Sequence, residues 1–272
     1  MLAVMVGALL HASWNALVKA SADKALDIAL IHLLGSLVCI PLLFFVGFPA
    51  KAAWPFIAAS LTIHIGYYIA LSGAYENGEL GLTYPLMRGT APLLVALSAA
   101  VVGETLNPLA WAGLLGISAG VLALGLGKNA LSSRKAISFA LVNAVFIAMY
   151  TVVDALGVRA SQNPLQYIVA LVALDGWPFA LLVFARRGGG VWKYSMKRWP
   201  LGLMGALASM LSYGIALWAM TKAPVATIAA LRETSVLFAA LIGTWFLKEA
   251  FTMRRAAGTL AIVMGAILLR LS

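Results

Sequence analysis

The 272-residue sequence is short of charge: 10% of its residues are Asp, Glu, Lys or Arg, against about 25% in an average soluble domain. With 63% hydrophobic residues beside it, that shortage excludes a water-soluble globular protein. There is a single cysteine, Cys39, set in an apolar run, so neither an internal disulfide nor a thiolate metal cluster can form. The three histidines, His11, His32 and His64, are not spaced as zinc ligands. No Gly-x-x-x-x-Gly-Lys-Ser/Thr loop and no Gly-x-Ser-x-Gly elbow occurs, so neither ATP hydrolysis nor an esterase nucleophile is expected, and no cofactor or metal. Acids are few as well, nine against 19 Lys and Arg, for a net charge of +10. These cations punctuate apolar runs instead of forming one basic surface, which argues for topology signals and against a nucleic-acid partner.

What the sequence has is long apolar segments. A hydrocarbon core about 30 Å thick takes ~20 helical residues per crossing. Charge and turn clusters divide the chain into runs near 1–18, 26–47, 53–74, 80–102 and 107–127, then 136–156, 164–185, 199–220, 225–247 and 253–270. Lipid-exposed backbone must satisfy its own hydrogen bonds, and barrel-type alternation is absent, so each run is expected to be a helix. The first run could be mistaken for a leader, since Ala20-Ser21-Ala22 resembles a cleavage site. No charge precedes it, and His11, Trp14 and Asn15 interrupt it, so it reads as the first span. The fold class expected is an all-α integral membrane protein of ten transmembrane helices, embedded in the lipid bilayer, with no sizeable domain outside it.

The chain also repeats. Trp54-Pro55 is matched by Trp199-Pro200, and Tyr68, Glu104, Gly113 and Gly120 by Tyr213, Glu249, Gly258 and Gly265, all at one offset. Arg88 and Arg232 keep this register with one insertion or deletion between them. Residues 1–128 and 134–272 are therefore read as two five-helix repeats. Five is odd, so the second half must be inverted in the membrane, an arrangement that places a site at the repeat interface. Loops after odd-numbered spans hold thirteen cations, Arg186, Arg187, Lys193, Lys197 and Arg198 among them. The opposite side holds Lys51, Arg159, Lys222 and Arg270. That asymmetry places both termini outside.

Ionisable side chains at membrane depth cost about 2.5–3.5 kcal/mol and usually face protein or a water-filled cavity. Arg88 and Arg232 stand about eight residues into the fourth and ninth spans, where a planar donor fork suits carboxylate, phosphate or phosphonate oxygens. A structural ion pair with Asp175 or Glu233, or snorkelling to an interface, is the alternative for each. Asp175 lies in Asp175-Gly176-Trp177-Pro178, where proline should bend the span. It and Glu233 are candidates for holding a substrate amine or coupling a proton; the alternatives are backbone satisfaction or pairing with arginine. Tyr68, Tyr213, His64, Asn15, Trp14, Asn143 and Tyr150 complete the candidate substrate site, their helical spacings suiting a lined pore or contacts between helices. Gly116-Ile-Ser-Ala-Gly120 fits small-residue helix packing within the bundle.

Two inverted five-span halves, with Gly103-Glu104 and Lys248-Glu249 near the ends of the fourth and ninth spans, resemble EamA-type carriers of the drug/metabolite transporter superfamily. His11-Ala-Ser-Trp-Asn15, Tyr84-Pro-Leu-Met-Arg88-Gly-Thr-Ala-Pro92 and Leu231-Arg-Glu-Thr-Ser-Val-Leu-Phe238 are similar to a subset labelled by gene context as phosphonate-associated. The resemblance implies a secondary carrier for small metabolites, such as amino acids or nucleotide sugars. It also implies a cavity lined by spans one, three, four, six, eight and nine, and cytoplasmic termini, against the charge count. The function expected is secondary transport of a small anionic or zwitterionic metabolite, amino-acid-like or phosphonate-like, across the plasma or inner membrane, by a monomer or homodimer and without catalysis. A flippase for a lipid-linked or amphipathic phosphate-bearing molecule is the alternative.

Overall fold

The computed structural model describes residues 1–78, 80–98, 103–125, 133–239 and 252–272. Lys128, Lys248 and Glu249, with the far ends of runs 80–102, 107–127 and 225–247, lie outside the described residues. Within them all regular structure is helical: α1 (Leu2–Lys19), α2 (Lys24–Val46), α3 (Trp54–Asn77), α4 (Leu80–Leu97), α5 (Pro108–Gly125), α6 (Arg134–Ala160), α7 (Pro164–Arg187), α8 (Gly190–Met220), α9 (Val225–Arg232) and α10 (Met253–Leu271). Five segments, 24–46, 51–77, 134–160, 164–187 and 190–220, are long and apolar enough to cross a membrane; α1, α5 and α10 carry shorter apolar stretches.

Local chemistry sets these boundaries. Asp23 and Ser133 accept from the backbone N–H three residues on and so begin α2 and α6. Asn163 caps α7, and Pro164 and Pro55 sit in the first turns of α7 and α3, where a missing N–H costs nothing. Gly47 and Gly188, with φ of 89° and 64°, end α2 and α7 in backbone that a side chain would strain.

Two boundaries depart from the sequence reading. The stretch expected to cross continuously over 225–247 is interrupted: α9 stops at Arg232 and helix resumes at 235. At the break Thr234 N and Val236 N bond three residues back, to Leu231 O and Glu233 O, and Thr234 Oγ1 also donates to Leu231 O at 2.6 Å. The winding therefore tightens where four polar residues follow one another. The other departure is at α8, which begins at Gly190, nine residues before the expected run, because Trp192, Met196 and Trp199 extend it as an exposed aromatic and cationic turn.

Helices pack in antiparallel pairs: α2 against α7, α5 against α10, α3 against α6, and α8 against α1. Small residues permit the closest of these approaches. A Cβ added at Gly113 would meet Gly265 O at 2.8 Å, and one at Gly120 would meet Gly258 O at 2.7 Å, so α5 and α10 touch backbone to backbone. Gly66 and Gly73 receive the rings of Phe146 and Phe139 across the α3–α6 seam. The core between these seams is dominated by Ala, Val, Ile and Leu.

Candidate functional site

α7 runs as one helix through Pro178, and a side chain of another helix enters its ladder close by. Pro178 cannot donate to Leu174 O. Two residues earlier Ser36 of α2 inserts into the ladder, donating to Val172 O at 2.7 Å and accepting from Gly176 N at 3.0 Å. The Trp177 indole donates to Ala173 O at 3.0 Å, so this tryptophan serves its own helix. Asp175 is thereby spared any backbone duty. Its carboxylate faces His64 Nδ1 at 3.3 Å and His32 Nδ1 at 3.9 Å. His64 Nδ1 also lies 3.0 Å from Ser60 O. A carbonyl only accepts, so Nδ1 carries the proton and Nε2 the lone pair in the neutral ring.

Asp175 and its histidines face a cavity of about 480 Å³ enclosed by side chains from α1 to α9. Trp14, Asn15, His64, Tyr68, Arg88, Asn143, Tyr150, Asp175, Tyr213 and Arg232 all border it. The structure thus gathers the candidate residues from six expected spans and α7 into one compartment. Its walls are aromatic: the Tyr150 ring stacks on His64 at 4.5 Å, Tyr68 stacks on Phe179 at 4.4 Å, and Trp14 meets His32 edge-on at 6.3 Å.

The two arginines differ. Arg88, buried, places Nε 2.9 Å from Glu233 Oε2, so Glu233 enters the site as the counter-charge of Arg88 and does not itself line the cavity. Arg232 is 9% exposed and stands over the Tyr213 ring, its guanidinium carbon 5.1 Å from the centroid. No carboxylate among the described residues lies within ion-pair distance of Arg232. Tyr213 is held in turn, its hydroxyl donating to the buried Asp154, which also accepts from Tyr167 at 2.9 Å. Asp154 is a tether between α6, α7 and α8 and does not border the cavity.

Sequence reasoning missed His32, Tyr84 and Ser235, which border the cavity too. The resemblance leaves the second and seventh spans out of the lining, yet α2 supplies His32 and α7 supplies Asp175. The available signal was Asp175 itself: an acid at membrane depth needs a partner from the helix packed against its own.

Several helices long and apolar enough to cross a membrane, packed around a cavity of about 480 Å³ with aromatic and charged side chains in its wall, define a multi-pass membrane protein with an internal cavity. Residues 134–271 match the EamA-like transporter family, and the chain belongs to that family of drug/metabolite-type membrane transporters. No curated protein sequence matches it. One solved crystal structure is similar over 99% of this chain and 98% of its own, with a TM-score of 0.75 at 21% sequence identity. That likeness establishes a shared fold.

Proposed function

We propose that this protein is a secondary carrier that moves a small zwitterionic or anionic metabolite across the plasma or inner membrane by alternating access. The observation that carries the reading is Arg232: a guanidinium buried at a cavity wall, held over an aromatic face, with no carboxylate partner among the described residues. Burying a cation without a partner is expensive, and a ligand acid entering the cavity would supply one. Arg88 is already offset by Glu233, which leaves Arg232 and Asp175 as the charges of opposite sign that a ligand would meet. That balance suits a zwitterion, with Asp175 taking the amine or exchanging a proton.

The reading includes ten spans in two inverted repeats. In support, the helix pairs exchange as a two-fold relation requires: α2 pairs with α7 and α5 with α10, while α3 takes α6 as α8 takes α1. The glycines exchange similarly, Gly113 meeting Gly265 and Gly120 meeting Gly258. Alternating access follows from inverted repeats around one central site.

The test is a thermal-shift screen of detergent-purified protein with glycine, acetate, methylphosphonate, methylamine and glycerol phosphate, run beside Arg232→Gln. A ligand at 100 times its dissociation constant raises stability by about 2.7 kcal/mol. Stabilisation by zwitterions or acids that disappears in Arg232→Gln is the expected result. Stabilisation by methylamine alone, or unaffected by the substitution, would return Arg232 to a structural role. Stabilisation by glycerol phosphate alone would favour movement of a phosphate-headed lipid.

A further inference from the structure

The first turns of α8 carry cations that the cavity does not use. The helix is 31 residues long, about 46 Å at 1.5 Å per residue, whereas the hydrocarbon core is about 30 Å thick. Residues 199–220 alone are long enough to cross, so the turns from Gly190 to Arg198 stand at the membrane surface. Their side chains sort onto three faces, as the helical period dictates. Tyr194 and Arg198, four apart, face the protein: the Tyr194 hydroxyl donates to Asp27 Oδ1 at 2.8 Å, and Arg198 holds the same carboxylate through Nε at 2.9 Å and Nη2 at 2.6 Å. Trp192, Met196 and Trp199 form an apolar face, 74%, 56% and 48% exposed. Lys193 and Lys197 form the third face and are exposed, as is Arg186 near the end of α7.

Two acids hold two of the cations at this corner. Asp23 takes Arg187 at 3.0 Å and Asp27 takes Arg198, which pins the inward face to the α1–α2 connection. No carboxylate among the described residues lies within ion-pair distance of Arg186, Lys193 or Lys197. Lys197 and Lys193 stand about 3 and 9 Å beyond Trp199 along the axis, within reach of headgroups. Indole rings settle at the boundary of acyl chains and headgroups, and lysine stems carry their ammonium groups out among the phosphates. A soluble acidic protein would match the lysines and leave the exposed tryptophans uncovered; a bilayer covers both. A zwitterionic headgroup brings its own cation, whereas an anionic one leaves its charge to the protein. We propose that the α7–α8 corner binds anionic phospholipid, with Trp192, Met196 and Trp199 against the acyl boundary and Lys193, Lys197 and Arg186 on the phosphate. None of these six residues borders the cavity, so the lipid is a bound partner of the protein and not its cargo.

The inference is tested by native mass spectrometry of the full-length protein in detergent, titrated with phosphatidylglycerol or with phosphatidylcholine of the same acyl chains. Each lysine near an anionic surface is worth about fivefold in affinity. Lys193→Gln/Lys197→Gln is therefore expected to lose about tenfold or more of the preference for phosphatidylglycerol. Arg134→Gln/Lys135→Gln, the same loss of charge at two exposed positions that open α6, is expected to keep it. Equal affinity of the wild-type protein for the two lipids overturns the proposal. So does an equal loss in both variants, which would make the preference a matter of net charge. Displacement of phosphatidylglycerol by inorganic phosphate would identify a free anion as the ligand, and a dimer that carries no lipid would give the face to a second copy of the chain; either result overturns the proposal. The carrier reading stands or falls separately, on the stability screen.

Discussion

Ser36 illustrates how single hydroxyls decide helix geometry where water cannot help. Its Oγ occupies the hydrogen bond that Val172 O and Gly176 N would otherwise make with each other, two residues ahead of the pair that Pro178 cannot close. Ser36→Ala is expected to cost about 1–2 kcal/mol, read as a lower melting temperature in detergent; an unchanged melting temperature would show that the ladder simply closes. The candidate side chains were legible in the sequence because charge at membrane depth is rare enough to stand out, as with Arg88, Arg232 and Asp175. Their partners were not. Arg88–Glu233 pairing joins α4 to the turn after α9, and no spacing within either helix announces it. His32 was marked only by Ser36 one turn on, a residue as common in helix packing as in sites. Asn143 was legible as a polar residue, but its bond to Tyr67 O depends on a carbonyl from another helix.

Among the elements, the α5–α10 seam is the least tolerant. Gly113, Gly120, Gly258 and Gly265 let two backbones touch, and a Cβ at Gly265 would lie 2.5 Å from Gly113 O, with no flexible side chain to give way. Gly265→Val is expected to lower the melting temperature steeply or prevent folding, whereas Leu260→Val, on the 63% exposed face of α10, should do little. A Gly265→Val protein as stable as wild type would disprove the close approach. The sequence showed these glycines as repeat partners at a common offset. It could not show that Gly113 meets the partner of Gly120, since that crossing depends on how the halves are placed. Continuity of the ninth span was misjudged because hydropathy sees composition, and the break there is made by backbone bonds of Thr234 and Val236.

For the whole molecule, charge and contact agree on which loops share a face. Asp23 pairs with Arg187 at 3.0 Å and Asp27 with Arg198 at 2.6 Å, joining the α1–α2 connection to the α7–α8 connection. Elsewhere Glu104 pairs with Arg159 at 2.5 Å and accepts from Val225 N at 2.7 Å, joining three other connections. The loops with most Lys and Arg should face the cytoplasm. Cys39 is buried, 1% exposed, and Cys39→Ser supplies a background without thiols. A cysteine placed at Lys193 in that background is expected to resist a membrane-impermeant maleimide in intact cells, while one at Ser272 reacts. The reverse pattern would put the termini in the cytoplasm. The Ser36 insertion carries one more consequence at this scale. α2 and α7 share a single ladder, so sliding them apart would break both hydrogen bonds of Ser36, to Val172 O and from Gly176 N, at once. The two helices are mechanically one part that keeps Asp175 of α7 and His32 of α2 together, and any motion that the proposed carrier cycle requires falls to the helices around them.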